Sequence, residues 1–142
     1  MPGRTASLIT NDFRRGARAL IKEVLISNGN SAEFSIKAVS TNALKVTIAW
    51  TDPPGTIQPV QLGPTNSVLI HDVDLRLVSA GYSTVYYPRI LDPSTDEDYT
   101  VRGAATATGD NFRENVEQVV INNPNTNDVY MVQITHKGSL VE

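Results

Sequence analysis

Two carboxylates, Asp72 and Asp74, stand two residues apart in the run Val68-Leu69-Ile70-His71-Asp72-Val73-Asp74-Leu75-Arg76-Leu77-Val78. Its alternation predicts a β-strand over 67–79, the longest in the chain. Successive side chains of a strand point to opposite faces, so both aspartates share a face with Arg76, while His71, Val73, Leu75 and Leu77 take the other. Like charges at that spacing repel, more strongly when partly buried, so a cation beside them stabilises the strand. A second acidic segment, Gly109-Asp110-Asn111-Phe112-Arg113-Glu114-Asn115-Val116-Glu117, places Asn115 and Glu117 on one face of the strand it begins, with Asp110 and Asn111 in the preceding loop. Oxygens of Asp, Asn and Glu are the hard donors calcium collects, roughly six to eight at a time. Asp72, Asp74, Asp110, Asn115 and Glu117 are therefore the candidate metal ligands, and calcium is the candidate ion. The plainer reading of the first pair is the solvent face of an edge strand, with Arg76 balancing the charge. Asp92, Asp96, Glu97 and Asp98 read as a solvated loop.

Catalytic patterns are missing from the sequence. His71 and His136 belong to no metal-protease or nucleophile-elbow motif, and no glycine-rich phosphate loop is present. His71 falls on the apolar face of its strand, where a hydrogen-bonded core residue is the simpler expectation. With no cysteine, thiol nucleophiles, zinc fingers and disulfide frameworks are excluded. No catalytic residue is assigned.

The elements that must position these groups are strands. The chain of 142 residues holds 15 Val, 10 Ile and 14 Thr against 10 Leu, a balance suited to pleated surfaces. Its length is that of one domain able to bury a core unaided. Leu20 to Ile26 predicts a first strand ended by Ser27-Asn28-Gly29-Asn30, and Glu33 to Val39 a second. Leu44, Val46, Ile48 and Trp50 share one face of a third, which Asp52-Pro53-Pro54-Gly55 must stop. Beyond the aspartate strand, Gly81 to Pro88 predicts a hairpin partner for it. Residues 91–109 read as loop, with a short strand at Tyr99 to Val101. Val116 to Ile121 and Val129 to Thr135 close the chain around Asn122-Asn123-Pro124-Asn125. The expectation is an all-β, antiparallel β-sandwich of jelly-roll type with seven to eight strands over 19–142. Residues 1–18 read as a linker or extended arm. Five of the twelve basic residues (Arg4, Arg14, Arg15, Arg18 and Lys22) crowd the first 22 positions, although the net charge is -3. The acidic balance argues against a nucleic-acid partner, and no apolar run approaches a membrane span. Met1-Pro2-Gly3-Arg4 is not followed by an apolar signal core, so no signal peptide is expected in the chain as it stands.

Taken together, Leu44 to Gly55, Val68 to Leu75, Gly109-Asp110-Asn111 through Asn115-Val116-Glu117-Gln118-Val119, and Val129-Tyr130-Met131-Val132 resemble the C-terminal β-sandwich that follows the catalytic domain in a branch of the subtilisin-like serine peptidases. That family pattern has a strand ending in Trp-x-Asp-Pro, a later Asn-Asp-Leu-Asp-Leu, and an Asn-Val-Glu before the final hairpin. The match covers about residues 20–138, and the order and spacing of its short motifs make it specific. Asp72 and Asp74 match the two aspartates, Asn115 and Glu117 match Asn-Val-Glu, and His71 stands where the family often has asparagine. The resemblance implies a non-catalytic jelly-roll accessory domain, with calcium sites in some members, serving a subtilisin-like catalytic domain in cis and secreted as part of the parent protein. No segment matches the regions around the family's catalytic residues. The alternative is a carbohydrate- or protein-binding module, with Trp50, Tyr82, Tyr86 and Tyr87 as a stacking surface.

Overall fold

A computed structural model describes residues 4–10, 20–60, 66–81, 83–90 and 107–141. Among these the chain forms ten β-strands: β1 (Arg4–Thr10), β2 (Leu20–Ile26), β3 (Ala32–Lys37), β4 (Leu44–Trp50), β5 (Asp72–Ser79), β6 (Val85–Tyr86), β7 (Arg89–Ile90), β8 (Ala107–Thr108), β9 (Val116–Ile121) and β10 (Val129–Lys137). The class is all-β, as the β-branched composition requires. One four-stranded sheet has the order β2-β1-β4-β9, a second has β3-β10-β5-β6, and β7 pairs with β8 as a two-stranded ribbon. Every pairing is antiparallel.

Alternation decides which residues fill the space between the sheets. Val46, Ile48 and Trp50 of β4 and Val119 and Ile121 of β9 meet Val73, Leu75 and Leu77 of β5 and Tyr130, Val132 and Ile134 of β10 in one buried cluster. At about 1.5–3 kcal/mol for each large apolar side chain removed from water, this layer dominates the stability of the fold.

Three of the differences from the sequence expectation have a clear physical reason. Residues 4–10, expected within a linker or arm, form β1, which pairs with β2 on one side and β4 on the other. A strand flanked on both sides owes its order to long-range ladders, which no local alternation announces. The aspartate strand begins at Asp72 and not at Ser67, because the backbone N–H groups of Ile70 and His71 are taken by the Asp52 carboxylate, at 2.8 Å each, and not by a neighbouring strand. The expected hairpin after it is present but short, pairing only Leu77 with Tyr86 and Val78 with Val85. The expected strand at Tyr99 to Val101, the acidic group Asp92 to Asp98, Tyr82, and the arm residues Arg14, Arg15 and Arg18 lie outside the described residues.

Candidate metal centre

The site is built from the ends of three elements. β4 finishes at Trp50, whose indole is buried and donates from Nε1 to the His71 carbonyl at 3.0 Å. Asp52, two residues on, caps the segment entering β5 through its two backbone bonds, and its Oδ1 lies 3.0 Å from His71 Nδ1. Gly55 then passes so close to Val68 that an added Cβ would collide with the Val68 carbonyl. No side chain fits there, which explains a glycine after two prolines. Just before β9, the neighbour of β4 in its sheet, Asn115 exchanges bonds with the end of β4: its Nδ2 donates to the Trp50 carbonyl at 2.8 Å, and its backbone carbonyl accepts from Trp50 N at 3.2 Å. These bonds fix where β5 and β9 start, and hence where Asp72, Asp74 and Glu117 project.

Glu117 faces inward from β9 and is 1% exposed. Its Oε2 accepts the backbone N–H of Leu75 across the gap between the sheets, at 2.5 Å. The reason lies in the short hairpin. Among the described residues β6 accompanies β5 only at Leu77 and Val78 and no strand pairs with Leu75 on that side, and a buried N–H demands an acceptor. The second oxygen, Oε1, is buried with no hydrogen-bond partner.

Asp74 lies on the outer face of β5 yet is 4% exposed, because Arg76, Lys137 and the Asp110 loop close over it. At Asp72 and Asp74 β5 is paired with β10, and β6 joins it only further on at Leu77 and Val78, so what departs from the plainer reading is burial: Asp74 does not face solvent. Carboxylate oxygens of Asp74, Asp110 and Glu117 all come within 4.8 Å of one another, and this group could hold a metal ion. Asp110 is brought in by the loop 109–115, which Asn111 organises from a buried position: its Nδ2 donates to the Val116 carbonyl at 3.2 Å and its Oδ1 accepts from Arg113 N at 3.3 Å. The Ser67 hydroxyl ties the same loop to the segment before β5 by donating to the Phe112 carbonyl.

Arg76 and Lys137 both touch the cluster. Arg76 Nη2 lies 2.9 Å from Asp74 Oδ1 and 3.3 Å from Asp110 Oδ1. Lys137 Nζ lies 3.0 Å from Asp74, 2.6 Å from Asp110 and 3.3 Å from Asp72. Burial pushes the Glu117 carboxyl up to about 8, against an ordinary 4.5, with the charges of Asp74 and Asp110 adding to the rise and the Leu75 N–H opposing it. Burial also raises Asp74, whereas the Lys137 hydrogen bond draws Asp110 below the usual carboxylate range. For Lys137, burial acts downward, but its bonds to Asp110 and Asp74 outweigh it and the ammonium is held more firmly charged than a free lysine.

Of the five residues named from sequence, the fold therefore brings Asp74, Asp110 and Glu117 together. Asp72 joins them through Lys137, with its Oδ1 buried and unpartnered. Asn115 spends its Nδ2 on the end of β4. His71 is not part of this cluster and lies instead against the Asp52 carboxylate. It is 1% exposed, its Nε2 accepts from Val141 N at 3.0 Å, and it pins the C-terminal tail beside the bond from Asn28 Nδ2 to the Leu140 carbonyl. Lys137 escaped sequence reasoning altogether, since only the β10–β5 register, which pairs Lys137 with Asp72 and Thr135 with Asp74, brings it here. No protein-family model matches the chain, and no curated protein matches it.

Proposed function

We propose that this chain is a non-catalytic accessory domain of a subtilisin-like serine peptidase, stabilising the enzyme through a calcium site at Asp74, Asp110 and Glu117. The observation that carries the reading is the connected network just described. Residues on which the resemblance rests (Trp50, Asp52, Asp74, Asn115 and Glu117) are bonded to one another or to one another's strands, and the network ends at a carboxylate cluster with an unpartnered buried oxygen. A buried, unpaired Glu117 Oε1 costs free energy that a bound cation offsets, and oxygen-only donors suit calcium. Calcium would neutralise the carboxylates and tie the Asp110 loop to β5 and β9. The burial of Trp50, with its Nε1 already bonded, counts against the alternative in which that residue stacks on a sugar.

Two measurements test this. Calorimetric titration with calcium chloride should show one site, lost in Asp74→Asn and Glu117→Gln; no heat with the wild-type chain overturns the calcium reading. Sequencing the reading frame upstream of Met1 should reveal a subtilisin-like catalytic domain with a Gly-Thr-Ser nucleophile segment; an unrelated upstream frame overturns the peptidase assignment.

A further inference from the structure

Lys137 and Arg76 both sit on the carboxylate cluster, but they are held very differently. Arg76 is mostly buried, donates from Nη1 to the Leu75 carbonyl at 2.8 Å, bonds Asp74, and lies over the Tyr87 ring at 4.8 Å from its centroid. Its planar fork is fixed on three sides. Lys137 is the last residue of β10, followed by Gly138 at φ +62, and its side chain is 44% exposed on a flexible stem. Its ammonium nevertheless touches Asp72, Asp74 and Asp110 at once, the place where a cation serving these three groups belongs. Beside it, the 1%-exposed Glu117 keeps one oxygen without a partner.

We infer that Lys137 is the resident counter-cation of this cluster, and that a divalent metal enters by displacing its ammonium while Arg76 stays in place. This deepens the calcium reading and rests on it. Arg76 and Lys137 already share Asp74 Oδ1 and Asp110 Oδ1, so a metal arriving on those oxygens meets two like charges, and the ammonium, on the more exposed and flexible stem, is the one that must give way. A divalent ion gains over the ammonium by carrying twice the charge and by engaging Glu117, which Lys137 does not touch in any bond described. Departure of Lys137 gives up its three carboxylate contacts, a cost offset in part because a half-exposed lysine regains hydration and rotamer freedom in water. The cluster is thereby self-stabilised without metal, and calcium affinity is lowered by the work of ejecting the lysine.

The test is calcium titration of the wild-type chain and of Lys137→Met, a variant that keeps the aliphatic stem and removes the charge. Lys137→Met should bind calcium at least about tenfold more tightly. Equal, measurable affinity in the two proteins overturns the exchange and leaves the calcium site standing; no binding by either overturns both. Should Lys137→Met fail to fold, amine acetylation of the wild-type chain, read at Lys137 by mass spectrometry, decides the matter. Its rate should rise several-fold when calcium chloride replaces sodium chloride at equal ionic strength. An unchanged rate at saturating calcium overturns the exchange.

Discussion

Glu117 couples the two sheets and charges reluctantly, and the pH dependence of stability follows from that. Its folded-state value of about 8 lies above the ordinary 4.5, so the folded chain holds a proton that the unfolded chain releases. The stability this contributes is complete below about pH 4.5 and is lost as pH rises through 8. At about 1.4 kcal/mol per pKa unit, the change across that window is on the order of 5 kcal/mol without calcium. Asp110, lowered by Lys137, acts in the opposite sense, its contribution being lost only as pH falls below the ordinary carboxylate range. Glu117→Gln, which keeps an acceptor for the Leu75 N–H and cannot ionise, should flatten the slope between pH 4.5 and 8 and exceed the wild type in stability at pH 8. Urea unfolding across that range checks it, and parallel slopes in the two proteins would contradict it. Asp52 offers a second residue-scale test. Asp52→Ala leaves the two backbone N–H groups of Ile70 and His71 without their acceptor, so it should cost about 2–4 kcal/mol in denaturant unfolding. A loss below about 1 kcal/mol would mean that water replaces the carboxylate there.

At the scale of elements, the site depends on strands that stop. β4 ends at Trp50, β5 is delayed to Asp72 by the Asp52 cap, and β6 is too short to cover Leu75, which is what draws Glu117 across. The approach of Gly55 to Val68 holds the first two of these stops in place. Gly55→Ala should therefore destabilise by about 1–3 kcal/mol through forced backbone displacement and lower calcium affinity with it; a thermal melt superimposable on the wild type contradicts this. Much of this level was legible in the sequence. The alternation of Leu44 to Trp50 identified β4 residue for residue, and Val116 to Ile121 identified β9, because each strand has one buried face. The two prolines marked where β4 stops. What the sequence hid were features decided by distant partners. β1 is ordered by ladders on both flanks, the ribbon of β7 and β8 is two residues long on each side, and Asp52 withholds residues 67–71 from the sheet. In the same way Asp74, Asp110 and Glu117 were recognisable by donor type, whereas Lys137 reaches them only through a strand register that no local spacing encodes.

For the molecule as a whole, two apolar faces close on one another, and the acidic cluster lies at the margin where β9 of one sheet meets β5 of the other. A cation there bridges the sheets as well as the Asp110 loop, so binding should resist separation of the layers and not merely order a surface turn. On the proposed reading, metal binding would then be a stability device. Ligand held by the folded state alone adds about 2.7 kcal/mol at 100 times its dissociation constant. For a domain of this length that corresponds to roughly 10 °C in melting temperature. The most direct measurement is calorimetric melting of the wild-type chain in saturating calcium chloride and in EDTA, with Glu117→Gln beside it. The account predicts a rise of roughly that size for the wild type, with little or none for Glu117→Gln. Identical wild-type melting in calcium and EDTA, or an equal rise in Glu117→Gln, would contradict it.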